Sequence, residues 1–245
     1  MTAPATDAPL ALSIILVHGA FVDASGWQAV FTDLVARGFE VLVTQHPTVT
    51  LEGDVAVVRD AIAAARNPVV LVGHSYGGAI ITAAGTDSNV AGLAYVAAFV
   101  PDAGESVGML AAAPLEAEET PAPVIPAREG FLLVDPVGFA QAFAADVDPA
   151  ITRFLAAAQQ HWGLGAVDAP VTEPAWASKP AACLVATADR MIPLRAQRLM
   201  AARAGAPVTE VEASHAVMLS QPGAVAAFIA ATAAAIASAM TAPAA

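Results

Sequence analysis

The sequence predicts an α/β chain: a mostly parallel, doubly wound sheet of about six strands carrying a helical insertion. Three observations predict it. Short aliphatic runs alternate with longer helical patterns along the 245 residues, the order produced by parallel strands and crossover helices. The runs are nearly continuously apolar, as strands covered on both faces are. Some eighty residues between a run ending near Val100 and one starting near Ala182 break the rhythm, far more than an ordinary connection needs.

Taken in order, MTAPATDAPLALS lacks a basic n-region and is broken by Pro4 and Pro9, so it reads as a short tail and not a signal peptide. The first strand is SIILVH (13 to 18), with a helix expected over about 25 to 36. EVLVTQ (40 to 45) precedes a helix over about 53 to 66, and VVLVG (69 to 73) one over about 76 to 86. AGLAYVAAF (91 to 99) is the fourth strand. In the long stretch that follows, APLEAEETPAPVIPAREG is rich in proline and acid and should be irregular, whereas PVGFAQAFAADV and PAITRFLAAAQQHW are helical in pattern. Phe131, Phe139, Phe143, Phe154, Trp162 and Trp176 fall there, and an aromatic-rich insertion suits a cap over a pocket. The expected division is one domain over 1 to 245 with residues 101 to 176 as a cap within it. ACLVAT (182 to 187) leads to a helix over about 193 to 204, with Pro193 near its start, and VTEVE (208 to 212) to a last helix over about 221 to 240. Residues Gly223 to Met240 carry no charge and meet the spanning length of about 18 residues. Ala, Ser and Thr dominate them, however, and Val225, Phe228, Ile229, Ile236 and Met240 recur at helical spacing, which predicts a helix laid on the sheet and no membrane span.

Hydrophobic residues make up 57%, but much of that is alanine, which points to small-residue packing. A net charge of -12 with Lys179 as the one lysine leaves no cationic footprint for a phosphate backbone, so nucleic acid is excluded as a partner and acidic substrates are disfavoured. Cys183, the single cysteine, permits no intrachain disulfide and suggests no zinc site, so nothing calls for an oxidising compartment and a cytoplasmic location is expected. The oligomeric state is open.

The chemistry concentrates in VVLVGHSYGGAIITAAG. A bare GxSxG arises by chance in roughly one chain of this size in ten to twenty. Here a buried strand runs into Gly73, His74, Ser75, Tyr76 and Gly77, and a helix follows at once. A sharp strand-to-helix turn exposes a serine Oγ at the carboxyl edge of a sheet, and the helix start supplies free N–H groups and a favourable dipole. Gly73 and Gly77 remove side chains that would collide there. Attack on an acyl carbon builds an oxyanion that needs two fixed donors. One is the N–H of Tyr76; the other comes from the loop after SIILVHGAF, from Ala20 with Phe21 as the alternative. Of five histidines, His18 and His74 sit inside turns and should hold loops, His46 precedes Pro47, and His161 lies in the insertion. His215, just past the last strand in VTEVEASHAVMLSQP, is where a base can reach Ser75. Asp189, two residues past the strand ACLVAT, is the candidate acid; Asp102 is its rival, and Glu210 and Glu212 lie within a strand. Phe21 and Trp162 are candidate pocket residues. No metal or organic cofactor is expected.

LVHGAF, LVGHSYGG, LAYVAAFVP, the aspartate of ATADRMIP and EASHAVMLSQP together resemble the α/β-hydrolase superfamily, nearest to the branch of plant methylesterases and hydroxynitrile lyases. The resemblance covers nearly the whole chain outside the insertion. It implies the α/β-hydrolase fold, here shortened to six strands because only about a dozen residues precede SIILVHG, and a serine esterase with Ser75 as nucleophile. The lyases of that branch place a lysine near the catalytic histidine, whereas His215 is followed by Ala216 and Val217 and Lys179 lies before a strand, so cyanohydrin cleavage is disfavoured. A serine nucleophile likewise disfavours dehalogenase and epoxide-hydrolase chemistry. The expected substrate is a small-molecule ester, apolar and uncharged, with a rate that rises as a histidine titrates. A lactone hydrolase, a perhydrolase or a ligand-binding receptor with slow turnover are the alternatives on the same residues.

Overall fold

All five side chains of Ser13–Val17 (β1) are buried, and the four apolar ones divide alternately between two cores. Ile15 and Val17 join one, Ile14 and Leu16 the other, the period of two that a strand covered on both faces imposes. The computed structural model describes residues 12–114 and 120–241, so most of the N-terminal tail and residues 115–119 of the acidic stretch lie outside the described residues. The remaining strands are β2 (Glu40–Val43), β3 (Val69–Ser75), β4 (Val90–Ala98), β5 (Val124–Arg128), β6 (Phe131–Val134), β7 (Trp162–Gly163), β8 (Ala181–Ala186) and β9 (Val208–Val211). Six of them form one parallel sheet in the order β2-β1-β3-β4-β8-β9. Helices Leu51–Ala64, Gly77–Ala84 and Leu194–Arg203 pack on one face; Gln28–Ala36 and Pro222–Thr241 pack on the other. This is the α/β-hydrolase fold with the predicted six-stranded sheet.

Two expectations need correction. β2 and β9 are not buried on both faces: Val43 and Val208 are exposed, because an edge strand has one neighbour and a shorter helical cover. The acidic, proline-rich stretch is not irregular throughout. Val124–Arg128 pairs antiparallel with Phe131–Val134 across a turn in which Gly130 has φ +75, and Trp162–Gly163 adds a third strand. Pro126 is tolerated because β5 is the edge of that small sheet, where its missing N–H faces no partner strand. The predicted helices of the insertion appear as Phe139–Phe143 and Pro149–Ala157.

Among the described residues Pro222–Thr241 is the one helix long and apolar enough to cross a membrane. Its Val225, Phe228, Ile229 and Ile236 are buried, and it packs on β4 and on Gln28–Ala36, while Met240 stays exposed. A short helix, Val217–Ser220, precedes it and carries the chain away from β9.

Candidate active site

β1 is flanked by β2 and β3, so the connections on either side of it leave in opposite directions and a crevice opens beyond the carboxyl ends of β1 and β3. Two loops meet there. A Cβ built on Gly19, in the loop after β1, would stand 2.6 Å from the Cβ of Ser75 at the end of β3. At Ser75 the pairing of β3 with β4 slips and the backbone turns left-handed, φ +55. That conformation costs a residue with a Cβ on the order of 1–2 kcal/mol. The helix Gly77–Ala84 begins two residues later, and Phe99 N–H binds the Ser75 carbonyl at 3.2 Å. The flanking glycines are needed for close approach: a Cβ on Gly73 would come within 2.5 Å of the Gly77 carbonyl oxygen, and one on Gly77 within 2.7 Å of that of His18.

His215, between β9 and Val217–Ser220, places its Nε2 2.9 Å from Ser75 Oγ and its Nδ1 2.8 Å from Asp189 Oδ2. The imidazole is 1% exposed. With the proton on Nδ1, shared with the carboxylate, Nε2 is left to accept from the serine hydroxyl. Asp189 follows β8 in a tight turn. Its Oδ1 accepts from Met191 N–H at 2.7 Å and Ile192 N–H at 3.0 Å, and its Oδ2 also accepts from Gln197 Nε2 at 2.9 Å. Gln197 is itself buried, donating to the Ile192 carbonyl and accepting from Ala186 N–H. Asp102 instead receives the N–H of Ala103, and Glu210 pairs with Arg198.

His74 donates from Nε2 to the His215 carbonyl at 2.9 Å, and burial, with the neighbouring His215 ring, holds its pKa far below the ordinary range. It therefore fixes the His215 loop as a neutral ring. His18 donates from Nδ1 to the Gly19 carbonyl at 2.8 Å, while its Nε2 accepts from His46 N–H. The His18 and His46 rings stack at 3.7 Å, and burial pushes His46 down to about 3. His161 contributes its carbonyl to the Thr48 hydroxyl.

Ala20, Phe21, Tyr76 and Trp162 are all 6% exposed or less. Trp162 meets Phe21 edge to face at 5.5 Å and Tyr76 at 5.4 Å, and Gln160 N–H binds the Phe21 carbonyl. From the insertion, the Phe143 ring stands edge-on to His215 at 4.8 Å, and its carbonyl accepts Ala216 N–H at 2.9 Å. Asp146 accepts Ser214 N–H at 3.1 Å. Sequence reasoning missed Gln197 and Asp146, which bear no motif: Gln197 acts through Asp189 across a turn of eight residues, and Asp146 through Ser214, 68 residues on. An apolar cavity of about 590 Å³, bordered by Phe99, Leu110, Val124, Met191, Ile192 and Met200, lies beside the turn that holds Asp189; Ser75, His215, Ala20, Phe21, Tyr76 and Trp162 do not line it. Among the described residues no group of three or more His, Cys, Asp or Glu is placed to hold a metal ion.

The model of the alpha/beta hydrolase family matches residues 14–228. Among solved structures, a pyrethroid hydrolase from Sphingobium faniae JZ-2 is 26% identical, with a TM-score of 0.79 over 91% of this chain and 97% of its own. Polyneuridine aldehyde esterase is 19% identical, with a TM-score of 0.75 over 91% of this chain and 99% of its own. An extracellular alpha/beta-hydrolase from a Paenibacillus species is 17% identical, with a TM-score of 0.75 over 90% and 98%. At those identities the last two are likenesses of fold. No curated protein matches the sequence significantly.

Proposed function

This chain belongs to the alpha/beta hydrolase family, and from that premise we propose that it is a serine carboxylesterase acting on small to medium, largely apolar, uncharged esters through an acyl-enzyme on Ser75. The observation that carries this reading is the buried line from Asp189 through His215 to Ser75, with both contacts under 3 Å and the serine on a strained turn at the sheet edge.

In this mechanism Oγ attacks the ester carbonyl carbon as its proton passes to His215 Nε2, and Asp189 stabilises the resulting imidazolium. The oxyanion is held by the N–H groups of Tyr76 and Ala20. A trans peptide sets its C=O and N–H in opposite directions, so His18, by binding the Gly19 carbonyl, directs the Ala20 N–H away from itself and supports Ala20 over Phe21. Collapse of the intermediate expels the alcohol, which takes the proton from His215. Water, deprotonated by His215, then releases the acid.

We assign residues 101–176 the part of a cap, whose Phe143 and Asp146 grip the loop of His215. The net charge of -12 favours uncharged substrates over anionic ones, and the pyrethroid hydrolase among the similar structures is in keeping with an apolar ester. Lys179 donates to the Val90 carbonyl at the amino edge of β4, opposite Ser75, which weighs against cyanohydrin cleavage. Ser75→Ala is expected to abolish p-nitrophenyl ester turnover and fluorophosphonate labelling without changing the circular dichroism spectrum. Activity surviving within tenfold of the parent sinks the assignment.

A further inference from the structure

Asp54 and Asp189 are the two acidic residues buried below a tenth of their surface among the described residues. Asp189 serves His215. Asp54, in the first turn of Leu51–Ala64, has no part in the mechanism above, yet it is fully buried. Its oxygens are divided between two donors: Oδ2 accepts from the Tyr76 hydroxyl at 2.7 Å, and Oδ1 from Thr48 N–H at 3.0 Å. Burial pushes this carboxyl up to about 6 against the pull of both hydrogen bonds, so keeping an acid here costs the fold stability. A phenylalanine at position 76 over an apolar side chain at 54 would fill the same space at no such cost.

The polar pair gains fixed direction. The Tyr76 ring is tethered at its hydroxyl and flanked by Trp162, which in turn meets Phe21. Thr48, held at φ +54, accepts Gly163 N–H on its carbonyl at 2.8 Å and donates its hydroxyl to the His161 carbonyl at 3.2 Å. One carboxylate therefore fixes the Tyr76 side chain directly and, through Thr48, the strand that carries Trp162. The Tyr76 ring thus meets Trp162, and Trp162 meets Phe21, the residue that follows Ala20.

We propose that Asp54 is a positioning residue of the oxyanion hole, setting the Tyr76 N–H against that of Ala20 through the Tyr76 phenol. The inference rests on the esterase reading for what the hole stabilises. Because the two donors act on charge that develops in the transition state, loosening them lowers kcat and leaves KM nearly unchanged, and misplacements below an ångström are enough for large losses.

The test compares Asp54→Asn, Tyr76→Phe and the double variant with the parent, on p-nitrophenyl butyrate and with active sites counted by fluorophosphonate. Tyr76→Phe removes one hydroxyl and keeps the ring, so it reports even where Asp54→Asn folds poorly. Each single change is expected to lower kcat per labelled site at least tenfold with KM within about twofold, and the double variant to be no slower than the slower single. Rates within twofold of the parent, losses confined to KM, or effects that multiply in the double variant overturn the proposal. Should the parent take the label but turn over no ester, the esterase reading fails, and the labelling rates of the variants still decide on Asp54, since phosphonylation of Ser75 draws on the same two donors. If Ser75 takes no label either, both fail.

Discussion

Asp54 binds its proton more tightly in the folded chain than in the unfolded one, since burial raises its carboxyl to about 6 from roughly 3.9 in an exposed peptide. Between about pH 4 and pH 6 the folded state therefore holds more protons, and stability falls as pH rises through that window. A rise of that size bounds the loss at about 3 kcal/mol. Asp54→Asn lacks this titration. Urea unfolding of both proteins from pH 4 to pH 7 is expected to show the parent losing ground to the variant up to about pH 6 to 7 and not above. A constant difference would mean that Asp54 does not titrate there. The contrast with Ser75, His215 and Asp189 shows which residues are legible in sequence. Each of those three follows a recognisable apolar run, and position after a parallel strand is itself a coordinate in space. Asp54 reads as an ordinary acid in the first turn of a helix, and Gln197 as a polar residue on a helix face; what distinguishes them is a partner 22 residues away and a carboxylate eight residues away.

At the scale of elements, the short helix Phe139–Phe143 matters beyond its length. It delivers a carbonyl to Ala216 N–H and the Ser214 hydroxyl, and an aromatic edge to the His215 ring, so the base is held from the insertion as well as from the sheet. Phe143 is 1% exposed. Its truncation to alanine should cost about 3–5 kcal/mol, which lowers the melting midpoint of a chain this size by roughly 6–20 °C. A fall in kcat per labelled site at a temperature where the variant is folded is expected with it, because the ring that backs His215 is gone; an unchanged kcat would confine the helix to a stabilising role. The periodicity of FAQAF and PAITRFLAA made these helices readable. The β5–β6 hairpin was hidden, because a strand containing Pro126 is stable only where its N–H side faces no neighbour, and no local pattern says which strand becomes an edge. The exposed faces of β2 and β9 were unreadable for the same reason.

For the whole molecule, a net charge of -12 spread over a chain with ten basic residues sets a potential that repels anions approaching the crevice. An ester carrying a free carboxylate is expected to show kcat/KM at least tenfold below that of its neutral isostere, with the gap narrowing as salt rises from about 0.01 M to about 0.5 M and the Debye length shrinks. A gap that salt does not change would place discrimination in the contacts of the pocket instead. The amino-acid sequence by itself determined the succession of the six main strands and their helices, the parallel sheet and the identity of the three residues on its carboxyl edge, because hydrophobic periodicity and a glycine-flanked turn are local physics written in neighbouring residues. Only the tertiary structure decided that Asp54 lies under Tyr76, that Gln197 braces Asp189 and that the insertion grips His215. The first and last of those contacts join segments separated by tens of residues, the second spans a turn of eight, and burial, which gives each its strength, exists only once the layers have closed on one another.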